Sequence, residues 1–534
     1  MIPESNQDDA VIAKLKPTNL EYGSQVSECM EGTRLDILNE INRWVDDIDA
    51  PNIFWLKGHP GAGKSAIASS AVEQLRGSSR LGSSFFFQRE RADAMTPKSL
   101  WRAVAYDLGR QYPTIRKRLV ATLNDEETVP STVNIDKLFR QLIHDPLVGT
   151  EDIPIGRLPV IVIDALDECG GLDGQHSEHR LNLLRSLKSW SQLPRKFKLL
   201  VTARGESDIE QLFSTTNHHL FEVFVGQKVD PKSEEDIKTF LRLRFRRIAA
   251  RFPKSLPSDW PGDQVVVELG SKAAGLFIWV DTVANFVNRG DPEEQLGLIL
   301  DGGGTGDIAE LYSLILKTSF PDPSEAVINS FHSILGAVIL AKAPLPTASL
   351  IYLLSLKATM MEYICDGLQS VMESQTTPRI HHQSFVDFLV DQKRCPSTFL
   401  IDRKRENRIL TIACLQTMND NLRFNICELE SSHLRNDDIR DLASRVKERI
   451  PLHLSYSSYH WASHLIETTF DPEIWDYVQT FMKDQFLYWL EVLSLTKCVN
   501  LASSILWLLV EWSQVSVLCF TKPTQHILAG WLSR

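Results

Sequence analysis

The chain has 534 residues, too many for a single hydrophobic core, so several domains are expected. Its 43% hydrophobic and 23% charged residues are typical of a globular protein, and its net charge of −11 argues against a surface built mainly to hold nucleic acid. The eight cysteines show no short paired spacing, and the polar, acidic N-terminus is not a signal peptide. We therefore expect a cytoplasmic protein with neither a membrane nor a nucleic acid as partner.

The first predicted elements are a tail and a helix. Residues 1–31 are expected to form a short polar N-terminal tail. Leu35, Leu38, Ile41 and Trp44 then recur at the spacing of an amphipathic helix. This helix leads into the first apolar strand.

Short apolar segments alternate with helical ones between residues 51 and 226, which is typical of a parallel α/β sheet. The candidate strands are residues 52–57, 83–87, 159–163, 198–202 and 221–225. From Ser233 onwards the pattern is helical, apart from a mixed segment that has helices around Pro344 and a strand ending near Ile380.

A glycine-rich loop follows the first predicted strand and reads G-x-x-x-x-G-K-S. Its members are Gly58, His59, Pro60, Gly61, Ala62, Gly63, Lys64 and Ser65. A strand before such a loop and a helix after it are the context in which its backbone N–H groups hold phosphates. Lys64 then reaches the β- and γ-phosphates, and the Ser65 hydroxyl ligates Mg²⁺. The sequence therefore predicts binding of ATP or GTP together with Mg²⁺.

Carboxylates follow the predicted strand at residues 159–163. Asp164 ends this strand in the Walker-B arrangement and is expected to face the Mg²⁺ held by Ser65. Asp167 and Glu168 come three and four positions later, and one of them is expected to orient the attacking water. Spacing does not decide between the two; Glu168 is favoured, and Asp167 is alternatively a partner of the metal ligands. Turn formation is the structural alternative for both.

Arg204 follows the predicted strand at residues 198–202. A cation at the end of a strand beside the metal strand is placed to sense the γ-phosphate and stabilise its developing charge. The alternative is a surface arginine that caps a loop.

The chain resembles the NACHT NTPases of the STAND class, which are signalling ATPases related to the AAA+ group. Three segments carry this resemblance: the glycine-rich loop, D-A-L-D-E at residues 164–168 and V-T-A-R at residues 201–204. Residues 32–34 and 380–389 are similar to the fungal NACHT branch, of the nephrocystin-3-like N-terminal type. The resemblance implies an AAA+-like α/β P-loop NTPase domain at 32–226, a helical domain at 227–322, a winged-helix-like domain at 323–395 and an α-helical region at 396–534.

The resemblance also implies roles for single residues. Asp164 corresponds to the metal carboxylate of the family and Arg204 to its first sensor. His382 matches in position a winged-helix histidine that touches the β-phosphate in related switches, with His381 as a competitor. A hydrogen-bonded core histidine is the alternative reading of His382. Arg34 resembles a position near the adenine pocket.

The function that follows is an intracellular switch, in which nucleotide binding and slow hydrolysis control conformation and self-association with unidentified protein partners. Two alternatives stay open: a nucleotide-gated scaffold without meaningful hydrolysis, and a P-loop kinase. The chain ends at Arg534 without the repeat array that follows in many members, which fits either a truncated or an alternatively spliced form.

Overall fold

The computed structural model describes residues 4–17, 20, 22–23, 27–92, 94–126, 128–148, 150, 158–171, 177–301, 307–374, 376–431 and 433–517. The chain folds into two compact units. The first ends at Leu311, and the second begins at Tyr312. Two segments lie outside the described residues and matter for the predictions. One is residues 302–306, which are rich in glycine, and the other is residues 518–534, the end of the predicted α-helical region.

A five-stranded parallel sheet organises the first unit. Its strands are β1 (Ile53–Gly58), β2 (Leu81–Phe86), β3 (Val160–Asp164), β4 (Lys198–Ala203) and β5 (His219–Val223). They lie in the order β2-β3-β4-β1-β5, and every neighbouring pair is parallel. All five predicted strands are confirmed to within a few residues. Since parallel strands end at the same edge, the loops that follow β1, β3 and β4 meet there.

Helices cover both faces of this sheet. In chain order they are α1 (Glu4–Ala13), α2 (Leu35–Asp46), α3 (Lys64–Gly77), α4 (Pro97–Gln111), α5 (Pro113–Asp125), α6 (Ile135–Phe139), α7 (Asp145–Val148), α8 (Glu178–Trp190) and α9 (Ser207–Ser214). Alternate strand residues point to opposite faces, so Ile53 and Trp55 pack against α1 and α4–α9, while Phe54 and Leu56 pack against α2 and α3. Burial on both faces explains why these strands read as continuous apolar runs.

The predicted polar tail contains helix α1 and contributes to this core. Ile12 and Leu15 are buried in the cluster on the first face of the sheet. Gly109 of α4 lets Ile12 approach, because a Cβ at that position would lie 3.2 Å from the Ile12 Cδ1 atom. A few apolar residues on one side are thus enough to dock a segment whose overall composition is polar.

The first unit continues with helices alone. They are α10 (Pro231–Arg251), α11 (Asp263–Ala273), α12 (Phe277–Val287) and α13 (Pro292–Asp301). The next helix, α14 (Ile308–Ser319), contains the boundary between the two units. Asp230 caps α10, where its side chain accepts a hydrogen bond from the Ser233 N–H at 2.9 Å. The strongly apolar sequence of α12 is explained by burial, with Trp279, Val280 and Val283 almost fully enclosed.

After α14, the second unit continues with three helices and a two-stranded ribbon. These are α15 (Glu325–Leu340), α16 (Thr347–Leu353), α17 (Ala358–Gly367), β6 (Met372–Glu373) and β7 (Arg379–Ile380), after which α18 (Gln383–Leu389) follows. β6 and β7 pair antiparallel, which gives the element order of a winged helix. The remaining helices are α19 (Arg403–Asn421), α20 (Leu442–Arg449), α21 (Leu452–Leu465), α22 (Pro472–Thr480), α23 (Phe486–Leu495) and α24 (Ala502–Val517). The predicted succession of a parallel α/β sheet, helices, a winged-helix-like segment and an all-α region is confirmed.

Helix α24 contains a very apolar segment. It packs by one side, because Ile505 and Trp512 are buried while Trp507 is 68% exposed. Among the described residues, no helix combines the length and the apolar character needed to cross a membrane.

A buried polar network lies in the core of the second unit. Nδ1 of His464 donates to Oδ1 of Asn407 at 2.8 Å, and Nε2 accepts from the Tyr456 hydroxyl at 2.7 Å. The N–H of Lys342 donates in turn to the Tyr456 oxygen at 3.2 Å. The neutral imidazole therefore satisfies both of its neighbours. Burial lowers the pKa of His464 well below its ordinary value of 6.5.

We expect the chain to lose stability as the pH falls below about 6.5, because the unfolded chain then binds a proton that folded His464 excludes. Thermal unfolding followed by tryptophan fluorescence should show this loss in the wild type. His464→Gln should remove that part of the pH dependence, whereas His433→Gln at an exposed histidine should keep it. Equal pH slopes for the wild type and His464→Gln would contradict the assignment.

Candidate functional site

The glycine-rich loop connects the carboxyl end of β1 to the first turn of α3. Gly61 and Gly63 have φ values of 77° and 90°, in the left-handed region that glycine adopts without a steric penalty. The Lys64 side chain folds back over the loop, where its Nζ donates to the carbonyl oxygens of Gly58 at 2.8 Å and His59 at 2.9 Å. The predicted strand, loop and helix are thus present with the backbone geometry that phosphate binding needs.

Exposure varies along the loop. Gly58, Gly61 and Ala62 are buried, Pro60, Gly63, Lys64 and Ser65 are half-buried, and His59 is exposed. Desolvation lowers the pKa of Lys64; Asp167 opposes this shift and Arg204 adds to it. A partly desolvated ammonium interacts more strongly than a fully hydrated one with an anion that replaces its carbonyl partners.

Asp164 ends β3 as a buried carboxylate. Ile163 pairs with Val201, so Asp164 falls beside Thr202, whose Oγ1 donates to Asp164 Oδ1 at 2.5 Å. The Ser65 hydroxyl also hydrogen bonds to this carboxylate. Burial raises the pKa of Asp164, and the hydrogen bonds from Thr202 and Ser65 oppose the rise. The structure therefore brings the two predicted metal ligands together, and hydroxyl and carboxylate oxygens are donors that suit Mg²⁺.

The turn after Asp164 is held by the same threonine. Ala165 has φ 53°, a left-handed conformation that costs a residue with a Cβ about 1 kcal/mol. Its N–H donates to Thr202 Oγ1 at 3.0 Å. Since Thr202 accepts from Ala165 and donates to Asp164, one hydroxyl fixes both the strained turn and the direction of the carboxylate.

Asp167 and Arg204 form an ion pair. The Arg204 Nε lies 2.9 Å from Asp167 Oδ2, and the Arg204 backbone N–H donates to Oδ1 at 3.0 Å. Both oxygens of the buried Asp167 are thus directed at Arg204. Glu168 is half-buried instead, and one of its oxygens accepts from the N–H of Arg89 at 3.2 Å. The two carboxylates that spacing could not separate therefore have different surroundings.

Arg180, on α8, is a fully buried residue that the sequence motifs did not identify as part of the site. Its Nη1 donates to the carbonyl oxygen of Asp167 at 2.7 Å, while Nε and Nη2 donate to the Asp208 carboxylate at 3.0 and 3.1 Å. Nη2 also donates to Glu206 at 2.6 Å. The guanidinium ties the turn after β3 to the loop after β4. No motif could reveal it, since its carboxylate partners lie 26 and 28 positions away.

His382 lies in the second unit, directly before α18. Its Nδ1 accepts from the Ser384 N–H at 3.1 Å and lies 2.8 Å from Ser384 Oγ, so the imidazole caps the helix. His381 is exposed, and its N–H donates to the Val371 carbonyl at 2.9 Å. These contacts fit the hydrogen-bonded structural role that was the alternative; phosphate sensing by His382 stays a prediction.

These elements define a P-loop NTPase domain. A phosphate-binding loop follows β1, a carboxylate ends β3, and an arginine follows β4, the strand that lies between them. Residues 32–204 match the family model described as Nephrocystin 3, N-terminal. The P-loop NTPase domain of this chain is accordingly similar to that family, which supports the resemblance to NACHT NTPases of the STAND class.

Among curated proteins, the chain is similar to the vegetative incompatibility protein HET-E-1 of Podospora anserina. The two are 22% identical over 541 residues, which covers 92% of this chain and 37% of the relative. This chain therefore spans little more than a third of the length of that relative.

Two solved structures from archaea are also similar. A STAND protein with a tetratricopeptide repeat sensor from Pyrococcus horikoshii has 13% identity and a TM-score of 0.41, covering 89% of this chain and 59% of that chain. A Walker-type ATPase of Pyrococcus abyssi has 13% identity and a TM-score of 0.34, covering 68% of this chain and 98% of that chain.

Thr202→Val should destabilise the protein by about 1–3 kcal/mol, because a buried oxygen of Asp164 loses its donor and the Ala165 N–H loses its acceptor. Urea unfolding of the nucleotide-free chain measures the loss. Thr202→Ser keeps the hydroxyl and should recover most of the stability. If Thr202→Val unfolds at the urea concentration of the wild type, the hydroxyl does not hold the turn.

Proposed function

We propose that the chain is a nucleotide-dependent signalling switch, which binds ATP or GTP with Mg²⁺ and hydrolyses it slowly. The observation that carries the proposal is the convergence of Lys64, Asp164 and Arg204 at one edge of the sheet. These side chains supply the three charges that phosphoryl transfer needs, two cations for the phosphates and a carboxylate for the metal.

The residues of the loop suit a nucleoside triphosphate. Gly61 and Gly63 let the backbone curl so that its N–H groups can face phosphate oxygens. Lys64 would exchange the carbonyls that it now contacts for β- and γ-phosphate oxygens. Ser65 and Asp164 would hold Mg²⁺, which neutralises phosphate charge when it is bound.

We assign the orientation of the attacking water to Glu168. Both oxygens of Asp167 are directed at Arg204, whereas Glu168 is half-buried and retains solvent contact. A carboxylate in contact with solvent can accept a proton from water. Asp167 then acts through Arg204, because it holds the guanidinium in the direction from which it would stabilise charge on the γ-phosphate.

The switch itself depends on the γ-phosphate. A ligand shifts a conformational equilibrium only if it binds the two states differently, and the γ-phosphate is what distinguishes ATP from ADP in contacts with Lys64 and Arg204. The name of the Podospora anserina relative connects it with vegetative incompatibility. We propose that this chain acts in the same class of signalling, through self-association and protein partners.

Glu168→Gln should lower hydrolysis by at least about 100-fold and leave nucleotide affinity intact, because an amide cannot accept the proton of the attacking water. Phosphate release in a single turnover measures hydrolysis, and a fluorescent nucleotide measures affinity. Lys64→Ala should lose affinity and serves as the control.

Two other results of these measurements would support the alternative functions. A wild type that binds nucleotide and releases no phosphate would support a nucleotide-gated scaffold instead. Phosphoryl transfer to an added small-molecule acceptor would support a kinase.

The mass of the native protein should depend on the nucleotide. With ADP we expect a monomer, and with a non-hydrolysable ATP analogue a larger species, because the γ-phosphate would favour the conformation that self-associates. Native mass spectrometry or light scattering measures both states. Lys64→Ala should give the same mass under both conditions; monomers of the wild type in both would contradict the switch.

A further inference from the structure

Arg34 is buried between the glycine-rich loop and the helices that follow the sheet. It precedes α2, is 2% exposed and has φ 59°, a left-handed conformation that few arginines adopt. Its Nη2 donates to the carbonyl oxygen of Ala62 at 2.9 Å, and its Nη1 donates to Oγ of Ser233 at 2.6 Å. One guanidinium therefore joins the loop to α10.

The contact with Ala62 fixes the orientation of a peptide group. A trans peptide is planar, so its carbonyl and its N–H point in opposite directions. The carbonyl of Ala62 and the N–H of Gly63 belong to one such peptide. While Arg34 holds the Ala62 oxygen on the outer side of the loop, the Gly63 N–H is turned to the opposite side.

The preceding peptide of the loop is held in the same manner. The N–H of Ile278, in the first turn of α12, donates to the carbonyl oxygen of Gly61 at 3.0 Å. The Phe277 ring lies beneath the Arg34 guanidinium at 4.6 Å, and a Cβ on Gly63 would lie 3.9 Å from the same ring. Two successive carbonyls of the loop thus accept from groups outside it.

Arg34 is itself anchored at its backbone. Its N–H donates to Oδ2 of Asp236 at 2.9 Å, and Ser233 Oγ donates to Asp230 Oδ2 at 2.7 Å. Main chain and side chain of Arg34 are therefore both bound to the first two turns of α10. Because the backbone and the guanidinium of Arg34 are both held by α10, the guanidinium has little freedom to bind another group.

We propose that Arg34 is a positioning residue for phosphate binding, which sets the peptide plane between Ala62 and Gly63 and ties it to α10. The inference rests on the proposed function, in that the loop binds phosphates. Arg34 acts through the Gly63 N–H, and a displacement of α10 would turn that N–H away from a phosphate.

The test measures the affinity of the full chain for N-methylanthraniloyl-ADP. Arg34→Gln should weaken binding about tenfold, because one amide cannot bridge Ala62 and Ser233 as the guanidinium fork does. Arg34→Lys should lose less, since an ammonium can still donate to one of the two oxygens. Arg43→Gln, at an exposed arginine of α2, is the matched control and should bind like the wild type.

Thermal midpoints without nucleotide separate positioning from support of the fold. A purely structural role would lower the midpoint and leave the affinity of the folded protein unchanged, which would overturn the inference. If Arg34→Gln does not fold, Ser233→Ala decides, since it keeps Arg34 and removes the acceptor on α10 together with the hydrogen bond from Ser233 Oγ to Asp230. Ser233→Ala should weaken binding about twofold to fivefold, and wild-type affinity in it would then overturn the inference.

Failure of the proposed function gives a different result. A wild type that does not bind the probe, or a Lys64→Ala variant that binds it equally well, overturns nucleotide binding at the loop and this inference with it. Normal binding by the wild type, loss in Lys64→Ala and no loss in Arg34→Gln overturn only the role of Arg34.

Discussion

The parallel pairing of β1, β4 and β3 is the constraint on which the site depends. Because all three strands run in one direction, the glycine-rich loop, Arg204 and Asp164 meet at one edge of the sheet although they are far apart in sequence. The register decides the finer contacts. A slip of one residue between β3 and β4 would move Asp164 away from Thr202 and turn its carboxylate to the other face of the sheet. Burial of apolar side chains on both faces of the sheet fixes that register. The packed core therefore determines the direction in which the Asp164 carboxylate points.

Two of the charges at this edge, on Arg180 and Asp167, are buried, and each is paired with a group of opposite charge. Arg180 has no solvent exposure and depends on three oxygen-bearing partners: Asp167 in the turn after β3, Glu206 in the loop after β4 and Asp208 in the first turn of α9. Asp167 is bound in turn to Arg204. Removing one member of such a set leaves a charge unpaired in a low dielectric, which costs several kcal/mol. These residues are therefore coupled. A substitution of Arg180 would affect the position of Arg204 through Asp167, which both arginines contact.

The outer side of the glycine-rich loop links the site to the rest of the first unit. Carbonyl groups of Gly61 and Ala62 accept from Ile278 and Arg34, so the loop is held by α12 and, through Arg34, by α10. Phosphates contact the inner side of such loops. A change in the peptide groups of the loop would therefore reach α12 directly and α10 through the Arg34 side chain.

The sequence by itself determined the fold class, the five strands, the glycine-rich loop and the positions of Asp164, Asp167, Glu168 and Arg204. It could do so because apolar runs, glycine spacing and strand-end carboxylates are local patterns. Only the tertiary structure decided that Asp167 pairs with Arg204, that Thr202 aims Asp164, and that Arg180 and Arg34 hold the loops. These contacts join residues brought together by strand order and helix packing, and no pattern along the chain encodes which buried donor will find which acceptor.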